Sequence, residues 1–391
     1  MAPITRICSA LIFALLAGSA TARMPERSAL LAYIQARSAA AEGTSETALS
    51  AYAAALRAEP GNDLIAARAY REAVASGDRA LALASARQLE KLNKLPADAH
   101  LLLIGSHLQA RDIAGAQAIL AKLEAEKQFE QLLPVIRCWV GIAARNPLAP
   151  EFINGAEPNG LGASMTVEQR ALASLMAGRK IEGLSLIKSS TQGDGRSVVT
   201  RMVGAATLQK LGDPLSARQL IEGPDPGFVL ARRLLEEKRP IGGAIDTPVK
   251  GLAFFYARLA SDMARNRLDF FAMTLGRYAR FLDPDSPLIA LTEAQGLAAN
   301  DDDQEALKAL NMIDPSGPYA SIADDSRISL LQRLGQSDEA ARIALAAAQA
   351  SANATDYARL GDVLNQQGKY RDAAAAYDQA LAASPAPRAS D

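Results

Sequence analysis

The sequence predicts an all-α protein, a solenoid built from repeated helix-turn-helix units. Small residues recur at intervals of 34 along much of the 391-residue chain. Hydrophobic residues make up 49% of the chain and aromatic residues only 5%. A core with so few large rings has to be built from helices that approach closely through small side chains. Apolar residues within each unit lie three and four positions apart, the spacing of one helix face.

The period follows from alanines that open the second predicted helix of each unit. These alanines form two series, and neighbours within each series are 34 residues apart except for one interval of 33. The series are Ala48, Ala82 and Ala116, then Ala272, Ala306, Ala340 and Ala373. Between the series, Gly178 and Gly212 are placed in interhelix turns 34 residues apart, and Ala217 continues the frame. Such a period is the signature of a repeat protein in which no unit buries its apolar face alone.

The C-terminal unit carries the fullest version of the pattern. Its spacing resembles the tetratricopeptide repeat at each diagnostic position: Tyr357, Leu360, Gly361, Leu364, Ala373, Tyr377, Ala380 and Pro385. The same frame fits an earlier unit that departs from the family at Gly276, where a large side chain is usual: Tyr256, Leu259, Ala260, Met263, Ala272, Ala279 and Pro284.

The resemblance to the tetratricopeptide family covers residues 29–387, in about nine units of which several are degenerate. It implies a right-handed superhelix. The segments 53–60 and 281–285 are also similar to segments of exported alphaproteobacterial tetratricopeptide proteins, whose roles are poorly defined.

Glycine and proline mark the ends of the predicted helices. First helices are expected to end at Gly43, Gly77 and Gly335, because glycine can adopt the left-handed conformation that caps a helix. Second helices are expected to end before Pro60, Pro284 and Pro385, because proline does not continue a helix.

Two irregular stretches, 146–164 and 223–251, are rich in proline and glycine, and the second contains one short predicted helix at 228–238. We therefore expect an N-terminal repeat block at 23–145 and a degenerate central block at 146–251. A C-terminal repeat block at 252–387 and a frayed tail at 388–391 complete the predicted organisation.

Residues 1–22 have the pattern of an export signal. Arg6 precedes a short apolar stretch at 10–17, and an A-x-A motif ends at Ala22, where cleavage is predicted. The apolar stretch is shorter than the roughly 20 residues of a membrane-spanning helix, and no later run is long enough. We expect a periplasmic bacterial protein without an integral membrane span after cleavage. An uncleaved membrane anchor is the alternative.

No catalytic, cofactor or metal site is expected. The balance of 42 Lys+Arg against 43 Asp+Glu gives no field that would attract nucleic acid, and no catalytic motif occurs. His100 and His107 fall on packing positions of the third unit, which favours core histidines over metal ligands. Cys138, beside Trp139, is expected to be a core thiol, and Asp303 to cap a helix.

In the tetratricopeptide family the first helix of each unit lines a groove. Mapping that frame onto this chain gives a candidate peptide-binding groove: Tyr33, Arg37, Arg68, Arg71, Met202, Phe254 and Leu291. Arg68 and Arg71 are three residues apart, so both can project to one side and hold a carboxylate or an acidic peptide. The alternative is that these arginines are ordinary solvated residues. The family's carboxylate clamp is not reproduced, because Ala358 and Asp362 occupy two of its positions.

These features predict a non-catalytic scaffold of the bacterial periplasm that binds an unidentified protein or peptide on the concave face of the solenoid. The alternative function is a structural component of a cell-envelope assembly, such as secretion, polysaccharide export or cell-wall machinery, that docks through its loops. A third possibility is an enzyme that uses Glu151 and Asp246 as carboxylates, but nothing in the sequence places these two residues near each other.

Overall fold

The structure is a computed structural model that describes residues 28–154, 163–189, 195–223 and 225–384. The export signal predicted at 1–22 lies outside the described residues, as do Pro385 and the tail predicted at 388–391. In the described ranges the regular structure is α-helical apart from one 3₁₀ helix, which confirms the all-α class. None of the helices in those ranges combines the length and apolar character needed to span a membrane.

The chain forms two compact units that divide between Gln128 and Phe129. The first unit contains three helix pairs. Helix α1 covers residues 28–41 and is followed by α2 (Ser45–Ala58), α3 (Asp63–Ser76), α4 (Arg79–Lys91), α5 (Ala97–Gln109) and α6 (Ile113–Ala125). Helices α2 to α6 pack consecutively against each other, and the alanines of the first 34-residue series are fully buried near the start of α2, α4 and α6.

The second unit begins with α7 (Leu133–Ala143) and a 3₁₀ helix (Ala149–Ile153). Two helix pairs follow, α8 (Ala163–Met176) with α9 (Lys180–Ser189) and α10 (Gly195–Lys210) with α11 (Pro214–Leu220). Helix α12 (Pro226–Glu236) leads into an irregular stretch. Four further pairs complete the unit: α13 (Pro248–Arg265) with α14 (Asp269–Leu282), α15 (Pro287–Ala299) with α16 (Asp303–Leu310), α17 (Ala320–Arg333) with α18 (Ser337–Ser351), and α19 (Ala354–Gln366) with α20 (Tyr370–Ala383).

The predicted 34-residue period is confirmed as the interval between equivalent helix positions. The alanines of the second series are buried near the start of α14, α16, α18 and α20. Small and large residues of the diagnostic frame also pack against each other. A Cβ added at Gly361 would lie 2.5 Å from the ring of Tyr377. Other residues of the diagnostic frame are buried as expected: Tyr256, Leu259, Ala260, Leu360 and Ala380. Tyr357 and Tyr377, in the last described pair, are half-buried.

The predicted glycine caps are also confirmed. Gly77 is the C-cap of α3 with φ of 78°, and its N–H is donated to the carbonyls of Ala73 and Val74. Gly43 and Gly335 adopt the same left-handed conformation, with φ of 73° and 72°. The interhelix turns placed by sequence occur as expected at Gly178 and Gly212, where φ is 79° and 83°.

Several helix starts differ from the sequence prediction. Helix α8 begins at Ala163, inside the first stretch predicted to be irregular, and the short helix predicted at 228–238 is α12 at Pro226–Glu236. Helix α13 begins at Pro248, inside the stretch predicted to be irregular, because proline is favourable as the first residue of a helix. Thr247 is its N-cap and accepts the N–H of Lys250 at 3.3 Å. Helix α16 is capped by Asp302, which accepts the N–H of Glu305. Asp303 is the first helical residue instead.

Helix α13 lies at the centre of the second unit and packs against α7, α8, α14 and α15. Its Gly251 faces the ring of Trp139 on α7 so closely that a Cβ would lie 2.2 Å from that ring. The Trp139 indole donates a hydrogen bond of 3.1 Å to Gln169 Oε1 on α8, which fixes the ring. The neighbouring Cys138 is buried, and this burial raises the pKa of its thiol to about 12. The structure therefore places it as the expected core thiol.

Substitution Gly251→Ala is expected to destabilise the second unit by about 1–3 kcal/mol, because the added methyl group has to displace the Trp139 ring or the axis of α13. Urea unfolding followed by circular dichroism measures the effect. The matched control is Gly61→Ala, since a Cβ there meets nothing within 4 Å. Equal stability of the two variants would contradict the close approach of α13 and α7.

Candidate functional site

Helices α1, α2 and α3 bring a set of tyrosines and arginines together in the first unit. The rings of Tyr33 and Tyr52 meet edge to face with centroids 6.2 Å apart. Arg37 follows Tyr33 by one helical turn and donates a hydrogen bond to its hydroxyl oxygen, which is the main cause of the raised pKa of Arg37. Tyr33 and Arg37 were predicted from the sequence, and the structure adds Tyr52 as the ring against which Tyr33 packs.

Arg68 on α3 lies close enough to Tyr52 for its charge to act on that residue as well. The pKa of Tyr52 is raised mainly by burial; the positive charges of Arg37 and Arg68 oppose that rise, and the negative charge of Glu72 adds to it. Charges on α1 and α3 therefore act on one ring from α2. Arg71 lies three residues after Arg68 and is exposed on the same helix. We call Tyr33, Arg37, Tyr52, Arg68 and Arg71 the basic–aromatic cluster.

The arginines of the basic–aromatic cluster are accessible. Arg37, Arg68 and Arg71 are exposed, whereas Tyr33 is half-buried and Tyr52 is buried. Within the described ranges none of the three arginines forms an ion pair with a carboxylate. A guanidinium that already rests beside an aromatic ring loses less side-chain freedom when it binds a carboxylate. The arrangement thus offers exposed positive charge, with the carboxylate of Glu72 on α3 as the one negative charge that also acts on Tyr52.

The other three residues assigned to the groove lie in the core. Met202, Phe254 and Leu291 expose only 3%, 4% and 4% of their surface. They were expected to line the groove, but such burial leaves them little surface to offer to a ligand. First helices of successive units pack directly on each other, as α13 does on α15, so apolar residues on those faces are covered.

The two histidines differ in their surroundings. His100 is buried, as expected for a core histidine, and its Nδ1 lies 3.2 Å from the carbonyl oxygens of Pro96 and Ala97. His107 is not a core residue, because 30% of its side chain is exposed and its Nδ1 lies 2.8 Å from Oδ2 of Asp112. Asp112 caps α6, which explains why this histidine turns to the helix end. No cluster of three or more potential metal ligands occurs among the residues described.

Glu151 and Asp246 each have a cation of their own. Glu151 pairs with Arg179, and that hydrogen bond is the main cause of the lowered pKa of its carboxyl. Asp246 lies 2.9 Å from the ammonium of Lys250. A carboxyl with a lowered pKa stays ionised at neutral pH, so Glu151 suits an ion pair better than proton transfer.

A chain of ion pairs joins α8, α10 and α13 in the second unit. Glu168 on α8 is buried and lies 3.1 Å from Nε of Arg258 and 3.7 Å from Nε of Arg196. Arg196 also lies 3.0 Å from Asp262, and Asp262 pairs with Arg265. This chain of ion pairs was not predicted from the sequence, because Glu168 and Arg258 are 90 residues apart and no local pattern relates them.

Substitution Glu168→Gln is expected to cost about 3–5 kcal/mol of unfolding free energy, because it removes the buried carboxylate that two arginines share. Trp139 is the only tryptophan of the chain, so its fluorescence in urea reports on this unit. The control Glu236→Gln breaks the exposed pair with Arg218 and is expected to cost less than about 1 kcal/mol. Similar small losses in both variants would mean that the ion chain does not stabilise the unit.

No protein-family model and no curated protein matches this chain. Solved structures do match it. The Naa15/Naa10 complex bound to HypK-THB is 14% identical, with a TM-score of 0.34, over 95% of this chain and 67% of that one. The APC/C heterotetramer Cut9–Hcn1 is 12% identical, with a TM-score of 0.30, over 90% and 78% of the two chains.

The TPR domain of P58(IPK) is 13% identical, with a TM-score of 0.25, over 90% of this chain and 97% of that one. At these identities and TM-scores the matches carry no argument about function. The assignment of this chain as a tetratricopeptide-like helical repeat rests on its own 34-residue period and on the helix pairs that follow it.

Proposed function

We propose that this protein is a non-catalytic scaffold of the bacterial periplasm that binds an acidic segment of a protein or an extended peptide. The observation that carries the proposal is the basic–aromatic cluster. Its exposed arginines, Arg37, Arg68 and Arg71, form no ion pair with a carboxylate in the described ranges. Charge-assisted hydrogen bonds from arginine to carboxylate are among the strongest polar contacts that a protein surface can make.

The position of the cluster supports recognition of a chain segment. Tyr33 and Arg37 belong to α1, and Arg68 and Arg71 to α3, which are the first helices of successive pairs. Stacked repeats present equivalent positions side by side, so an extended ligand can contact several units at once. Tyr52 supports this surface from α2 without being exposed itself.

The periplasmic location is supported by the signal pattern of residues 1–22, with its basic start, short apolar stretch and A-x-A motif. A scaffold in that compartment meets envelope proteins, and an acidic segment of one of these is the ligand class that the cluster favours. The repeat itself gives only an analogy about the partner.

A triple variant, Tyr33→Ala with Arg68→Glu and Arg71→Glu, is expected to lose at least about 90% of partner capture. Each reversed charge removes one charge-assisted contact and adds repulsion. In-cell cross-linking of the tagged protein followed by mass spectrometry measures the captured segments. In the wild type these segments are expected to be acidic and to attach to the first unit.

The matched control reverses two basic residues on second helices, Arg57→Glu and Lys91→Glu, and is expected to capture the partner like the wild type. If the triple variant still captures the partner, the cluster proposal is wrong, and docking through 146–164 and 223–251 is favoured. Absence of any captured protein in the wild type would count against a scaffold.

The export signal is expected to be removed after Ala22. Osmotic shock of bacteria that express the tagged full-length chain should release a protein whose N-terminal sequence begins at Arg23. Retention in the membrane fraction with residues 1–22 still attached would support the uncleaved anchor instead. Recovery only in the cytoplasm would contradict export.

A further inference from the structure

A cavity of about 390 Å³ in the second unit lies between the irregular stretch after α12, the end of α10, the first turn of α13 and the connection from α14 to α15. Two hydrogen bonds hold the irregular stretch on α10. Ile241 donates its N–H to Oε1 of Gln209 at 3.0 Å, and Ile245 donates its N–H to Oγ1 of Thr207 at 3.0 Å. One wall of the cavity is therefore fixed by the fold itself.

Opposite charges line this cavity without being fully paired. Its lining includes three aspartates and three lysines: Asp246, Asp283, Asp285, Lys210, Lys238 and Lys250. Among them, Asp246 lies 2.9 Å from the ammonium of Lys250. The other two aspartates and two lysines form no ion pair in the described part of the chain, so their charged atoms are more than 4.0 Å apart. A ligand that carries both charges can bridge such a separation.

Asp283 is the most deeply placed of the unpaired carboxylates. It is 9% exposed, and its side chain makes no hydrogen bond within the described ranges. Its carboxyl oxygens remain accessible, because neither belongs to the fully covered side-chain atoms that lack a partner. Burial is the main cause of the raised pKa of this carboxyl, and Lys250 opposes the rise. Asp285 and Asp246 add to the rise, and Arg280 also opposes it. A buried carboxylate without hydrogen bonds is costly, and a donor in the cavity would offset that cost.

Ser286 supplies a second acceptor without a partner on the same connection. It is 7% exposed and is the N-cap of α15, yet its hydroxyl does not accept a helix N–H as an N-cap serine usually does. That hydroxyl forms no other hydrogen bond in the ranges described, and its oxygen is accessible. Asp283, Asp285 and Ser286 thus bring two carboxylates and a hydroxyl to the cavity. An ammonium group matches this set, because it has three N–H donors and no acceptor.

We propose that this cavity binds a small zwitterionic ligand, a free amino acid or a dipeptide. The ammonium group of the ligand is held by Asp283 and Ser286, with Asp285 beside them. Its carboxylate is held at the mouth by Lys210 and Lys238, which are exposed. The site lies within the second unit and uses no residue of the basic–aromatic cluster. It therefore does not rest on the function proposed above.

Isothermal titration calorimetry of the chain from Arg23 with L-alanyl-L-alanine measures the affinity, at about pH 7, where both ends of the dipeptide are charged. We expect saturable binding. N-acetyl-L-alanyl-L-alanine lacks the ammonium group and is expected to bind at least tenfold more weakly. L-alanyl-L-alanine amide lacks the carboxylate and is expected to bind at least threefold more weakly, a smaller loss because the two lysines are exposed to water.

Asp283→Asn is expected to weaken binding of L-alanyl-L-alanine at least tenfold and to abolish the difference between this dipeptide and its acetylated form. The variant is expected to be no less stable than the wild type, because the change removes a buried charge that has no hydrogen bond. Asp338→Asn makes the same change at an exposed position on α18, outside the cavity, and is expected to stay within twofold of the wild type.

Thermal unfolding checks that each variant is folded. If Asp283→Asn fails to fold, the double variant Lys210→Gln with Lys238→Gln replaces it, because both lysines are exposed. This double variant is expected to weaken binding of the free dipeptide but not of its amide. Absence of saturation up to about 10 mM, equal binding of the acetylated dipeptide, or unchanged binding to the folded cavity variant would each overturn the proposal. Binding lost only in the Tyr33, Arg68 and Arg71 triple variant would also overturn it, and would move the dipeptide to the basic–aromatic cluster.

Discussion

The second unit depends on how closely helix α13 approaches the helices that precede the irregular stretch. Gly251 lets the backbone of α13 rest on the ring of Trp139, and a single extra carbon would prevent this. One to two turns further along the same helix, Arg258 reaches Glu168 on α8. Close apolar contact and a buried ion pair thus hold one helix at two points, which lets the repeat continue after α12 and the loop that follows it.

The sequence predicted the parts of the fold that depend on local sterics. Alanine at the start of second helices and glycine in the turns are required by close helix packing and by positive φ, so their spacing alone revealed the repeat. Pro248 was misread because proline ends one helix and begins another equally well. The start of α16 was missed by one residue, since three consecutive aspartates can each serve as a cap.

The candidate sites were predictable only in part. Tyr33, Arg37 and Arg68 were found because they occupy first helices and have exposed positive or aromatic character, but Tyr52 lies on a second helix and was not in that frame. The ion chain around Glu168 joins residues from three helices, and its members are ordinary helix residues in sequence. Met202, Phe254 and Leu291 were assigned to the groove although they are nearly buried, because an apolar residue fits a groove and a helix interface equally well in sequence.

The position of Cys138 has a practical consequence for how this molecule can be handled. It is the only cysteine in the described ranges, and with its thiol buried and its pKa raised to about 12 it stays protonated and unreactive in the folded state. In the chain from Arg23, which lacks Cys8, a cysteine introduced on an exposed helix face would therefore take a fluorophore or spin label selectively, and Cys138 would not have to be removed. Conversely, the rate at which Cys138 itself becomes labelled in dilute denaturant would report how often α7 detaches from α13, an opening that no surface probe would detect.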